Sequence, residues 1–138
     1  MAWFNTWQAR LDGFPQPLLQ LLMRFSIFWV FWRSGNLKAA NIDQAIGLFR
    51  DEYKLPILPP EIAAYLGTTV ELAAPCFILA GLLTRLATLP LIAMTLTIQF
   101  LVYPTDYPSH VLWFAILVFV LTRGPGPYSL DALLFRKR

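Results

Sequence analysis

Glu71 is the only acidic residue between Tyr65 and Arg85, a stretch that reads YLGTTVELAAPCFILAGLLTR. The remainder is apolar or weakly polar and reads as a membrane-spanning helix. An ionisable group inside lipid is costly and requires a partner. Pro75 follows four residues after Glu71. A helical proline lacks the N–H that would bond the carbonyl of residue 71, and its ring crowds that carbonyl. A carboxylate and a freed backbone acceptor are therefore expected at one depth. Such a carboxylate can take or give a proton, which makes Glu71 the candidate catalytic residue.

Other polar side chains can reach the same interior. Arg24 and Arg33 lie in the first apolar segment, Gln99 in the third and His110 at the start of the fourth. At a rise of about 1.5 Å per helical residue, Glu71 and Gln99 both stand roughly 18 Å above the inner ends of their helices. Arg24 falls somewhat below that level, Arg33 falls above it, and His110 enters from the outer end. The expectation is one shared site that opens outward. Glu71 is expected to pair with an arginine of the first helix, Arg33 before Arg24. Arg24, Arg33, Gln99 and His110 are candidate substrate-binding residues. The plainer alternative is a buried Arg–Glu pair that only pins helix register, with Gln99 as interhelical glue and His110 as an interfacial residue. Cys76 reads as an inert apolar filler.

Long helices must hold these groups. The expected fold is all-α: an integral membrane four-helix bundle with spans near 17–38, 60–83, 86–103 and 109–122. Trp3, Phe4, Trp7, Leu11 and Phe14 recur at close to helical spacing. They predict an amphipathic N-terminal helix lying in the membrane interface, or an arm packed on the protein itself. No basic start and small-residue cleavage site bracket an apolar run, so the segment does not read as a cleaved signal. In the longest loop, Asn41 and Gln44 have capping-box spacing. Ile42, Ala45, Ile46, Phe49 and Tyr53 then form a helical stripe. They predict a short amphipathic helix over 42–53, covering the mouth of the bundle. Thr84–Arg85 reads as a tight turn, and Ser129 as a cap for the tail.

The 138 residues suffice for one domain. The chain is 57% hydrophobic and 14% charged, whereas soluble domains are about a quarter charged. The lipid bilayer is therefore the expected partner. A net charge of +3 gives no reason to expect nucleic acid. One cysteine excludes an intrachain disulfide and, with one histidine, argues against a metal site. Four spans place both termini on one side. Arg10, Arg85, Arg123, Arg136, Lys137 and Arg138 fall on that side, against Lys38, Arg50 and Lys54 on the other. The positive-inside rule then puts both termini in the cytoplasm.

Three segments, in order and spacing, resemble the DoxX family of small four-helix membrane proteins. They are Phe31–Lys38 (FWRSGNLK), Glu71–Arg85 (ELAAPCFILAGLLTR) and Gly124–Leu134 (GPGPYSLDALL). The resemblance implies a bundle in the bacterial inner membrane. It also implies an association with thiosulfate:quinone oxidoreductase or other membrane redox systems. Its matched polar positions include Arg33, Ser34, Lys38, Glu71, Thr84 and Arg85, and Lys38 thereby joins the candidate binding residues. In the tail, Gly124, Gly126, Ser129 and Asp131 match. Two functions follow as expectations. One is a quinone-interacting subunit, with Glu71 as proton carrier and Gln99 or His110 bonded to a carbonyl. The other is a non-catalytic anchor or assembly subunit. Both imply a protein partner or a homo-oligomer, and the first needs electrons from another group.

Overall fold

Proline and glycine punctuate the described residues into seven helices. The computed structural model describes residues 1–136; Lys137 and Arg138, which enter the charge count above, lie outside them. Helix α1 is Ala2–Asp12 and α2 is Gln16–Ala40, with Pro17 in its first turn. Helix α3, Ile42–Leu48, continues into a five-residue π turn, Phe49–Tyr53. Helix α4 is Pro60–Ala80. Helix α5, Thr84–Thr97, ends in a second π turn, Ile98–Val102. Helix α6 is Tyr107–Arg123 and α7 is Leu130–Phe135. Prolines at the first helical positions of α2, α4 and α6 cost nothing there, because those N–H groups lack intrahelical partners anyway.

The turn between α4 and α5 falls earlier than the sequence reading placed it. Gly81 adopts φ +72°, the left-handed region that ends helices. Its N–H donates to the Ile78 carbonyl at 3.1 Å and the Leu82 N–H to Phe77 at 2.9 Å. The turn is thus Gly81–Leu83, and Thr84 and Arg85 belong to the first turn of α5. This shift separates two groups expected at one depth. Counted from the observed helix ends, Glu71 stands roughly 14 Å along α4 and Gln99 roughly 22 Å along α5, at about 1.5 Å per residue.

Helix α2 packs on α4 and α6, and α5 packs on the same two, so the four long helices close a ring. Ile27, Phe31, Ala74, Ile78, Leu91, Leu117 and Val120 fill its centre. Helix α3 lies across α2 and α4 at one end, where Phe49 packs on Ala63 and Ala64. The outward faces remain apolar: Leu22, Phe25, Trp29, Leu66, Leu86, Phe100 and Leu112 are all exposed. Two helices, Pro60–Ala80 and Thr84–Val102, are long and apolar enough to cross a membrane; α6 is apolar but shorter. Helix α1 carries no buried residue.

Candidate functional site

Gly35 sets the geometry of the site. A Cβ there would lie 3.0 Å from Glu71 Cβ and 3.0 Å from the Leu72 side chain. The bare glycine lets α2 and α4 approach closely. Ser34 and Lys38, one turn apart on α2, then flank the Glu71 carboxylate. Lys38 Nζ donates to Glu71 Oε2 at 2.9 Å, to Oε1 at 3.1 Å and to Ser34 Oγ at 2.8 Å. Ser34 Oγ donates to Glu71 Oε1 at 3.2 Å. Glu71 is 4% exposed.

The partner of Glu71 is therefore Lys38, and the expected pairing with Arg33 or Arg24 is corrected. Arg33 points outward and is exposed; adjacent residues on a helix do not share a face. Arg24 is 1% exposed, but its guanidinium is consumed elsewhere. Its Nε donates to the Ile78 carbonyl at 2.8 Å, and Nη1 to Pro125 and Tyr128 at 3.1 and 2.7 Å. Its Nη2 donates to Leu79. Arg24 thus staples the tail to the end of α4.

Ser34 and Lys38 also line a cleft of about 340 Å³ beneath α3, shared with Asn41, Gln44, Ala45 and Tyr53. Tyr53 sets its ring edge-on against Tyr103, centroids 5.7 Å apart, and the Tyr103 hydroxyl donates to Glu52. Burial raises the Tyr53 pKa, and the charges of Glu52 and Glu71 push it the same way against a hydrogen bond to Tyr103. Burial and the Glu52 carboxylate likewise raise Tyr103. Both phenols stay protonated donors near neutral pH.

Gln99 and His110 meet each other. Gln99 Nε2 donates to the Pro104 carbonyl at 3.0 Å, which turns Oε1 towards His110 Nδ1 at 2.7 Å. This contact assigns the proton to Nδ1. His110 Nε2 lies 3.9 Å from Asp106 Oδ2, and the ring tilts against Trp113. Among the described residues, no hydrogen bond joins this pair to Lys38–Glu71. The candidate residues thus fall into two couples, Lys38 with Glu71 and Gln99 with His110, with Arg24 stapling the tail and Arg33 outside. No trio of His, Cys, Asp and Glu side chains among the described residues is placed to hold a metal ion.

One structural participant went unread in the sequence. Asp131 caps α5 from the tail: its carboxylate accepts from the Leu83 N–H at 2.7 Å, the Thr84 N–H at 2.9 Å and the Thr84 hydroxyl at 2.8 Å. Its place in GPGPYSLD was noted, but nothing local announces a cap for a helix 47 residues upstream. Thr68, one turn from Glu71 on α4, is 7% exposed.

An all-helical chain with apolar outward faces and a buried ion pair between its first and second long helices defines a helical membrane protein. The DoxX family model matches residues 19–104, and the chain belongs to that family. The chain is 24% identical over 136 residues to an uncharacterized protein of Haemophilus influenzae. That alignment covers 91% of this chain and 89% of the relative. No solved structure matches the chain.

Proposed function

We propose that the chain is the quinone-interacting membrane subunit of an oxidoreductase system, with α2, α4, α5 and α6 spanning the bacterial inner membrane as a four-helix bundle. In this reading α1 lies in the membrane interface and both termini are cytoplasmic. The observation that carries the proposal is the Lys38–Glu71 pair, whose lysine lines the cleft together with Ser34 while the carboxylate lies buried behind it. A quinone requires an apolar slot and a few polar groups at its head. Leu37, Ala45, Leu48 and Tyr53 supply the first; Ser34, Lys38, Asn41 and Gln44 supply the second. Glu71 is the proton carrier, because a carboxylate oxygen can accept the proton of a quinol hydroxyl. Electrons pass to or from a partner protein. Gln99 and His110, on the π turn after α5 and on α6, bond to each other and are not among the residues lining the cleft, so the head-group contacts do not include them.

Titration of a short-tailed ubiquinone analogue into purified protein, followed by tryptophan quenching, tests the reading. Saturable quenching that weakens in Glu71→Gln supports it. Quenching that does not saturate, or that is identical in Glu71→Gln, overturns it. The second reading, an anchor or assembly subunit, is favoured by the exposed Leu133, Leu134 and Phe135 of α7. It gives the opposite ranking: changes in α7 or α3 release a co-purifying partner, while Glu71→Gln affects stability alone.

A further inference from the structure

Helix α7 has six residues, and the rest of the chain holds it in place. Alone, so short a helix is unstable in water. Here Ser129 Oγ accepts from the Ala132 N–H at 3.2 Å, and the Asp131 N–H donates to the Gly81 carbonyl at 2.7 Å. The Asp131 carboxylate grips the start of α5. Just before α7, Gln20 and Arg24 of α2 bond to the Arg123, Pro125 and Tyr128 carbonyls. The helix is therefore fixed at one end of the bundle, where α2 and α5 start and α4 and α6 finish.

These bonds leave its apolar face uncovered. Leu130, Leu133 and Leu134 have the i, i+3, i+4 spacing of one helix face. They are 40%, 79% and 64% exposed. Asp131, which caps α5, is on the side turned to the protein. The leucines also differ from the apolar faces of the long helices, which lipid tails cover. With α6 spanning the bilayer, α7 comes after its last residue, Arg123, and falls at the level of the lipid head groups.

The charges at this end choose the occupant. Arg85, Arg123 and Arg136 are exposed there, and the sequence continues with Lys137 and Arg138. Asp131 does not offset them, because two N–H groups and the Thr84 hydroxyl take up its carboxylate. Asp12, at the end of α1, is matched by Arg10 in the same helix. Leucines on one face and cations at the end suit a helix lying in a membrane interface. The apolar side enters the acyl boundary and the cations meet anionic head groups. An apolar groove on a protein would fit the leucines and leave the cations unanswered.

We propose that α7 and the basic residues after it dock on the leaflet at this end of the bundle and select its anionic phospholipids. Leu130, Leu133 and Leu134 enter the acyl boundary, and the cations of this end face the lipid phosphates. The α7 face thereby has an occupant other than the protein partner of the anchor reading. The proposal stands apart from the quinone reading.

The test uses the full-length protein with Leu134→Cys in a Cys76→Ala background, labelled with nitrobenzoxadiazole. It is reconstituted into phosphatidylcholine vesicles with or without phosphatidylglycerol, and iodide is present on both sides. Both leaflets have the same composition, so the direction of insertion does not enter. Phosphatidylglycerol is expected to shift the label's emission to the blue and to let bromine-labelled lipids quench it. Iodide quenching should fall about threefold or more. Raised salt should reverse this gain. Arg136→Gln, Lys137→Gln and Arg138→Gln together should remove most of the difference between the two vesicles. A label open to iodide in both vesicles overturns the proposal; if cell membranes then shield it, the face belongs to a protein partner. Burial that is equal in the two vesicles, or a difference that the triple variant leaves intact, overturns the selection of anionic lipid by the tail.

Discussion

The Lys38–Glu71 pair illustrates why removing one charge differs from removing two. With Lys38→Met alone, the Glu71 carboxylate stays buried with only the Ser34 hydroxyl. Breaking one side of a buried pair costs about 3–5 kcal/mol, while replacing both by apolar residues of similar volume can be neutral. The expected outcome in detergent melts is a large loss for Lys38→Met, a large loss for Glu71→Leu, and recovery in the double variant. Strictly additive losses would show that the pair is not coupled. Gly35→Ala should cost about 1–3 kcal/mol by overpacking, because its Cβ would press on Glu71 Cβ and Leu72. The need for a partner to Glu71 was legible from composition alone. Its identity was not: Arg33 and Lys38 point to different sides of one helix, and the rotation of α2 is fixed by Gly35 meeting α4.

At the scale of elements, the tail acts as the cap of a helix it does not adjoin. The α5 N-terminus exposes backbone N–H groups and the positive end of its dipole, and Asp131 answers both. Burial alone would raise the Asp131 pKa. The Thr84 N–H and hydroxyl, the Leu83 N–H and the charge of Arg24 outweigh it and hold the carboxyl below its ordinary value. A depressed folded-state pKa means that this stabilisation is complete above the unfolded carboxyl pKa of about 3.9. It is lost as pH falls through the lower folded value. Asp131→Ala should therefore cost about 0.5–2 kcal/mol near neutral pH. The gap in melting temperature between it and the unaltered protein should narrow as pH is lowered below about 4; a gap constant with pH would exclude a charged cap. Local caps were readable in the sequence. Asn41 Oδ1 accepts from the Gln44 N–H and Ser129 Oγ from Ala132, as their spacing predicts. The π turns at Phe49–Tyr53 and Ile98–Val102 were not readable, because residue types there fit an ordinary α-helix and tertiary contact between the two turns accompanies the wider winding.

For the whole molecule, the outward apolar faces and the long helices suit a bilayer-embedded protein, since in lipid every backbone polar group must be satisfied internally and apolar side chains can face the tails. The sequence made the helical class plain. It left the order of packing open, because every long helix is apolar nearly all round and periodicity marks no inner face. Orientation remains a prediction of charge distribution. With Cys76→Ala as background, a cysteine at Leu48 should be labelled by an impermeant maleimide on intact spheroplasts, and one at Arg136 should not. The reverse pattern would invert the topology.

Arg24 belongs to the first long helix to leave the ribosome, yet its acceptors are made much later, the Ile78 carbonyl 54 residues and the Tyr128 carbonyl 104 residues downstream. Until Tyr128 is made, this guanidinium lacks two of its four carbonyl acceptors. A chain stopped at Arg123 would hold an arginine deprived of two of its four carbonyls, a state that membrane quality-control proteases are suited to remove. Pulse-chase decay should be fast for that truncation and slower when Arg24→Met is added; equal decay would show that the staple plays no part in maturation.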